Sequence, residues 1–257
     1  SVPASRLLSA RSCQAVARLT RQRSNCRSHG KSKRAPSVPF SFFKQMKTIF
    51  DPTLASIDAL GSESPVDTSR LTPDWLRSRF SQPPDWTPEF PDEHLLRDTS
   101  RTPVPASVLV PLVVRDDELS LLLTQRTAHL HDHAGQISFP GGRVDPEDED
   151  AIATALRETE EEIGLHRRHV EVIGSLPDYF TGTGFQVTPV VALVHPPFEL
   201  AADDFEVAEI FEVPLTFLMD AANHQRRSAE FPGRPGRRIF YAMPFRHYFI
   251  WGATAAM

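Results

Sequence analysis

Three acidic side chains near the middle of the chain have the spacing to act together. Glu158, Glu161 and Glu162 lie three and four residues apart, so a helix brings them to one side while Glu160 points elsewhere. Like charges so placed repel by roughly 0.2–0.5 kcal/mol per pair, and acids near a helix C-terminus also oppose its dipole. A bound cation relieves both penalties, and oxygen-only ligands suit a hard one, Mg²⁺ or Mn²⁺. Such an ion grips phosphate oxygens and activates water. The bland alternative is a solvated acidic face, which is what most glutamate runs are.

The element that positions these residues is a helix from about Asp148 to Leu165. Ile152, Ala155, Leu156, Thr159 and Ile163 recur at helical spacing and predict its buried stripe. Asp145 or Asp148 is expected to cap it, and Gly164 to end it. Strands are predicted at Val104 to Val114, Leu119 to Gln125, Ile137 to Phe139, Val170 to Leu176, Val187 to Val194, Arg238 to Ala242 and Tyr248 to Trp251. Leu215 to Ala222 reads as a helix. Strands mixed with a few helices predict an α/β (α+β) domain, a mixed sheet with helices packed on it.

This domain is expected over residues 103–257. Gly252 to Met257 reads as the opening of a helix, so a truncated C-terminus is expected. Residues 46–102 form a Pro-rich segment with one helix, Pro73 to Phe80, capped by Thr72. Residues 1–45 read as a basic tail outside the folded core. From Ser1 to Phe50 there are 11 Lys or Arg and no Asp or Glu. Three readings of the tail stand: sequence upstream of a natural start at Met46, an organelle transit peptide, or a basic interaction arm. The location follows, cytoplasmic or, with a transit peptide, organellar.

The other 17 basic residues face all 33 acidic ones, and an acidic body argues against nucleic acid as partner. No apolar run approaches the ~18 residues of a membrane helix, so no membrane partner is expected. Both cysteines, Cys13 and Cys26, lie in the tail, which excludes a cysteine zinc site elsewhere. The partner expected is a small-molecule substrate.

The run Gly142-Arg-Val-Asp-Pro-Glu-Asp-Glu-Asp-Ala-Ile-Ala-Thr-Ala-Leu-Arg-Glu-Thr-Glu-Glu-Glu-Ile-Gly-Leu165 resembles the Nudix box, G-x5-E-x7-R-E-U-x-E-E-x-G-U, where U is a bulky apolar residue. Arg157 to Leu165 matches the second half, with Thr159 in place of an apolar residue. The loop holds one extra residue. Counting from Gly142 makes Asp148 the first acid; counting back from Arg157 makes it Glu149. Upstream, Leu122-Leu-Thr-Gln-Arg126 and Gly135-Gln-Ile-Ser-Phe-Pro-Gly-Gly142 look like the signature of the coenzyme A pyrophosphatase branch, L-L-T-x-R-[SA]-x3-R-x3-G-x3-F-P-G-G. Thr127 stands where Ser or Ala is usual, and His131 where Arg is usual.

The resemblance implies a Nudix fold, a mixed sheet sandwiched between helices. It implies hydrolysis of coenzyme A or acyl-coenzyme A to 3',5'-ADP and (acyl-)4'-phosphopantetheine, with another nucleoside diphosphate derivative as the alternative substrate. Glu158, Glu161 and Glu162 become metal ligands, and Arg157 a group that orients a glutamate. Arg126, His131, Gln136, Gly141 and Gly142 become substrate contacts. Nudix enzymes commonly supply a further carboxylate from outside the box. The acidic patch Asp203, Asp204, Glu206 and Glu209 offers one, with Glu206 the choice and a plain charged loop the alternative. His129, His131 and His133 alternate; solvent or substrate contact is expected of them rather than a metal site.

Overall fold

The computed structural model describes residues 50–84, 102–116, 118–129, 135–230 and 236–257. The basic tail, His131 and His133 lie outside the described residues. The strands are β1 (Ser56–Leu60), β2 (Val104–Val114), β3 (Leu119–Arg126), β4 (Ile137–Ser138), β5 (Gly141–Arg143), β6 (Val170–Ser175), β7 (Tyr179–Phe180), β8 (Phe185–Val194), β9 (Val207–Pro214), β10 (Gln225–Glu230), β11 (Arg237–Phe245) and β12 (Tyr248–Trp251). The helices are α1 (Pro73–Ser81), α2 (Ala151–Ile163), α3 (Leu215–Leu218) and α4 (Ala253–Ala256).

Strand alternation builds the core. On β2, Leu109 and Val113 face one side of the sheet, and Val108, Val110 and Leu112 face the other. Leu122 on β3 joins the first side, while Leu121 and Leu123 join the second. The first side is covered by α2 through Ala155, Leu156 and Ile163. The second is covered by Leu76 and Phe80 of α1, by α3, and by Phe245, Tyr248 and Ile250 of the other sheet. Each fully buried Leu or Ile contributes roughly 1.5–3 kcal/mol.

The larger sheet runs β4-β3-β2-β8-β6, with β5 added to β2, β7 to β8 and β9 to β3. β2 and β8 are parallel, Val104 opposite Phe185 through Val113 opposite Val194. Parallel neighbours need a long crossover, and this one contains α2. The smaller sheet, β1-β10-β11-β12, is antiparallel. The chain is thus a mixed α+β fold with helices on its sheets, as the pattern predicts.

Several local expectations need correction. The helix is shorter than Asp148 to Leu165, and its cap is Asp150, whose carboxylate accepts from Ala153 N at 2.8 Å. Ile152 is 37% exposed, while Thr154 is buried in its stead. Leu215 to Ala222 is not one helix: it breaks into α3 and a 3-10 turn at Ala221–Asn223, because Asp220 bonds Ala222 N and starts a new turn. β1, β5, β7, β9 and β10 lie outside the strands expected from the sequence. The helix Pro73–Ser81 and its Thr72 cap are as expected.

Candidate active site

The site is assembled where α2 meets β5 and the end of β3. Before α2, the loop folds back so that the Asp148 carboxylate accepts from Asp145 N at 2.9 Å and from Thr154 Oγ1 at 2.8 Å. Arg157 then grips it from the helix, Nε to Oδ1 at 2.9 Å and Nη2 to Oδ2 at 2.8 Å. Of the two candidate acids, Asp148 and Glu149, it is Asp148 that pairs with Arg157. This pairing holds the Asp148 carboxyl well below its ordinary range and raises the Arg157 guanidinium further. Arg157 Nη1 also donates to Glu158 at 2.9 Å and Glu161 at 3.2 Å. One guanidinium thus holds three carboxylates.

The C-terminal end of α2 is set as the sequence suggests. Gly164 takes a left-handed φ of 68°, and its N–H bonds Glu160 O at 3.0 Å. Glu160 turns away to Arg167, at 2.6 Å. Thr159 is buried where an apolar residue is usual, and its hydroxyl donates back to Ala155 O at 2.6 Å, leaving no unpaired donor.

The two glycines are needed for space. A Cβ on Gly142 would sit 2.4 to 2.6 Å from the Glu158 carboxylate atoms. A Cβ on Gly141 would sit 2.4 Å from Ser107 O. Gly141 N donates to Glu162 at 3.1 Å. The Glu162 side chain is only 8% exposed. Its burial pushes the carboxyl up to about 7, against the pull of Gly141 N and Arg126, with the charges of Glu206 and Glu158 adding to the rise. Glu158 is raised too, chiefly by burial, with Arg157 opposing. Glu161 is 62% exposed.

Arg126 faces this cluster from the end of β3. Its guanidinium lies 3.7 Å from Glu162 and 3.8 Å from Glu206. The β3–β9 pairing slips by one residue here: Gln125 opposes Glu209, but Arg126 opposes Val207. A bulge of this kind re-aims side chains. Val207 enters the core beneath α2, and the next residue back, Glu206, reaches Arg126. Glu209 goes elsewhere and accepts from Tyr248 Oη at 2.6 Å. Asp203 caps its own turn, accepting from Phe205 N at 2.8 Å. So one acid of the patch, Glu206, joins the site. Gln136 O accepts from Arg126 N at 2.9 Å. The His129 ring packs edge-on to Phe205, 4.9 Å between centroids.

The donor set suits a hard divalent cation, because Glu158, Glu161, Glu162 and Glu206 present only oxygen. The charges of Glu158 and Glu206 act on Glu162, and those of Glu161 and Glu206 on Glu158. Among the described residues, no three His, Cys, Asp or Glu side chains already form an ion cage. The carboxylates are held by Arg157 and Arg126. One contributor is not among the residues expected from the sequence: Thr154, whose hydroxyl supports Asp148; a lone threonine following Asp150 in the acidic helix start is the only signal for it.

Residues 104–231 match the model of the NUDIX domain. An "Uncharacterized Nudix hydrolase NudL" of Salmonella paratyphi B is 42% identical over 190 residues, covering 74% of this chain and 93% of its own length. The protein of that name from Salmonella typhimurium shows the same identity and coverage. A crystal structure of a C. elegans Ap4A hydrolase binary complex is similar with a TM-score of 0.37 and 26% identity, over 44% of this chain and 80% of that one.

Proposed function

The chain belongs to the Nudix hydrolase family, and on that premise we propose that it cleaves the pyrophosphate bond of coenzyme A or acyl-coenzyme A. The products are 3',5'-ADP and (acyl-)4'-phosphopantetheine. The observation that carries the reaction class is the gathering of Glu162 and Glu206 around Arg126, with Glu162 bonded to Gly141 N and the Glu158 carboxylate against Gly142. The substrate rests on the run from Leu122 through Gly142, which keeps the branch signature at all but two positions.

Glu158, Glu161 and Glu162 would hold Mg²⁺ or Mn²⁺, with Glu206 as a further carboxylate. Bound there, the ion offsets charge on the diphosphate and makes water a better nucleophile. Arg157 keeps Glu158 and Glu161 in place through the bonds it already makes. Arg126 turns its fork of donors to phosphate oxygens, for which a guanidinium is well shaped. Gln136, Gly141 and Gly142 line the approach, and His131 stands where arginine is usual in the branch signature. A water oxygen bonds to one phosphorus, a carboxylate takes its proton, and the bridging P–O bond breaks. No covalent intermediate with the chain is required.

That histidine favours a second reading, a Nudix pyrophosphatase for a nucleotide sugar, dinucleotide or nucleoside triphosphate. Product analysis with coenzyme A, ADP-ribose and dGTP at millimolar Mg²⁺ separates the two. Turnover of coenzyme A to the two named products, well above the others, is expected. Preference for ADP-ribose or dGTP overturns the substrate assignment and leaves the reaction class standing.

A further inference from the structure

Thr127 is buried directly after Arg126, outside both the box and the carboxylate cluster. It clamps two successive carbonyls of the loop before β9. Its backbone N–H donates to Glu206 O at 2.9 Å, and its hydroxyl donates to Phe205 O at 2.8 Å. The same loop is tied to α2 at its other end, where Asp203 N donates to Glu162 O at 2.9 Å. Between those two anchors the backbone has little freedom, and the bulge at the start of β9 fixes which way Glu206 leaves it.

We propose that Thr127 is a positioning residue: by holding the Phe205 and Glu206 carbonyls it sets the Glu206 carboxylate beside Arg126 and the α2 carboxylates. This rests on the reading of Glu206 as a further metal carboxylate. Alanine cannot make the hydroxyl contact, whereas serine and threonine can. The threonine methyl fills buried space that serine leaves open, so this chain holds the loop through packing as well as the bond. Without the hydroxyl, the Phe205 carbonyl loses its protein partner and the loop is freer to shift.

The test uses the full chain with Thr127→Val, Thr127→Ser, Glu206→Gln and the Thr127→Val/Glu206→Gln pair. Each is titrated with Mn²⁺ alone, following the free ion by electron paramagnetic resonance, and then assayed for kcat and KM. Thr127→Val is expected to weaken Mn²⁺ binding about five- to tenfold, the scale of one hydrogen bond. Thr127→Ser is expected to restore it to within about twofold, and the double variant to bind no worse than Glu206→Gln. If Glu206→Gln itself binds Mn²⁺ as the parent does, the role of Glu206 falls. If Glu206→Gln weakens binding but Thr127→Val does not, or the two losses multiply, the role of Thr127 falls. Should Thr127→Val fail to fold, Thr127→Ala takes its place with the same outcomes.

Discussion

Arg157 meets Asp148 through two parallel hydrogen bonds, Nε to one carboxylate oxygen and Nη2 to the other, at 2.9 and 2.8 Å. The remaining nitrogen, Nη1, reaches Glu158 and Glu161. Asp148 thus orients the arginine that holds Glu158 and Glu161, the carboxylates proposed to bind the metal. Removing such a support typically lowers metal affinity or activity 10- to 100-fold. Asp148→Asn is expected to fall in that range in kcat/KM, while Glu149→Gln stays near the parent. Steady-state kinetics of both variants checks the order; a larger loss in Glu149→Gln would reverse the assignment.

Gly142 leaves the room that the Glu158 carboxylate occupies. Gly142→Ala places a methyl within contact of that carboxylate and pushes it aside, while the end of a side chain yields more easily than backbone. The expected result is a folded protein with activity down by about 100-fold, the usual cost of misplacing a reacting group by an ångström. Gly141→Ala instead meets the Ser107 carbonyl, a backbone atom, and is expected to lower the melting temperature. Circular dichroism melts alongside activity distinguish the two. Equal melting losses in both would contradict the difference.

Glu162 gives the metal-free protein a pH dependence with a definite sign. Its carboxyl is pushed up to about 7 by burial, against an ordinary 4.5. The unfolded chain therefore ionises first, and stability is lost as pH rises from about 4.5 to about 7, then levels off. Glu162→Gln keeps the shape without the charge. In EDTA at about pH 8 this variant is expected to be more stable than the parent by ~2–3 kcal/mol, with the gap closing near pH 4. Thermal melts at both pH values measure it. A variant no more stable than the parent at the higher pH would contradict the buried, costly carboxylate.

A separate ion-pair group fastens α1 to the sheet and should leave the chemistry alone. Arg77 on α1 donates to both oxygens of Glu171 on β6, at 2.7 and 2.8 Å, and His195 stands 2.9 Å from the same carboxylate. Arg77 first, then His195, holds Glu171 down to about 2. That contribution is present above about pH 4.5 and is lost as pH falls toward 2. Arg77→Ala is expected to speed amide exchange across residues 73–81 and change kcat/KM by less than about twofold, as exposed pairs act locally. A large kinetic effect would tie α1 to the site.

The sequence is most legible where local pattern and tertiary packing agree. β2, β3 and β8 alternate or run apolar, so their burial shows in the residue types. The box helix shows through its glutamates and its Gly164 stop. Its start was misread because three aspartates compete for one cap, and only the loop geometry gives Asp150 the cap and Asp148 the arginine. Ile152 fits the helical stripe by spacing yet is 37% exposed, while Thr154 is fully buried. β9 is hidden by acids: Asp203, Asp204, Glu206 and Glu209 read as a charged patch or loop. In the fold Glu206 faces Arg126, Glu209 the Tyr248 phenol and, further along β9, Glu212 faces Arg115, partners that only the fold brings near. β10 carries two arginines, and Arg227 is buried because Thr53 O and Ala55 O accept from it. No window of sequence contains both partners.

Crystals of the full chain soaked in Mn²⁺, with data collected at the manganese edge, test the account at its root. An anomalous peak among the Glu158, Glu162 and Glu206 carboxylates, with Glu161 turned inward to join them, is the result expected. A peak elsewhere, or none at saturating ion, would contradict it.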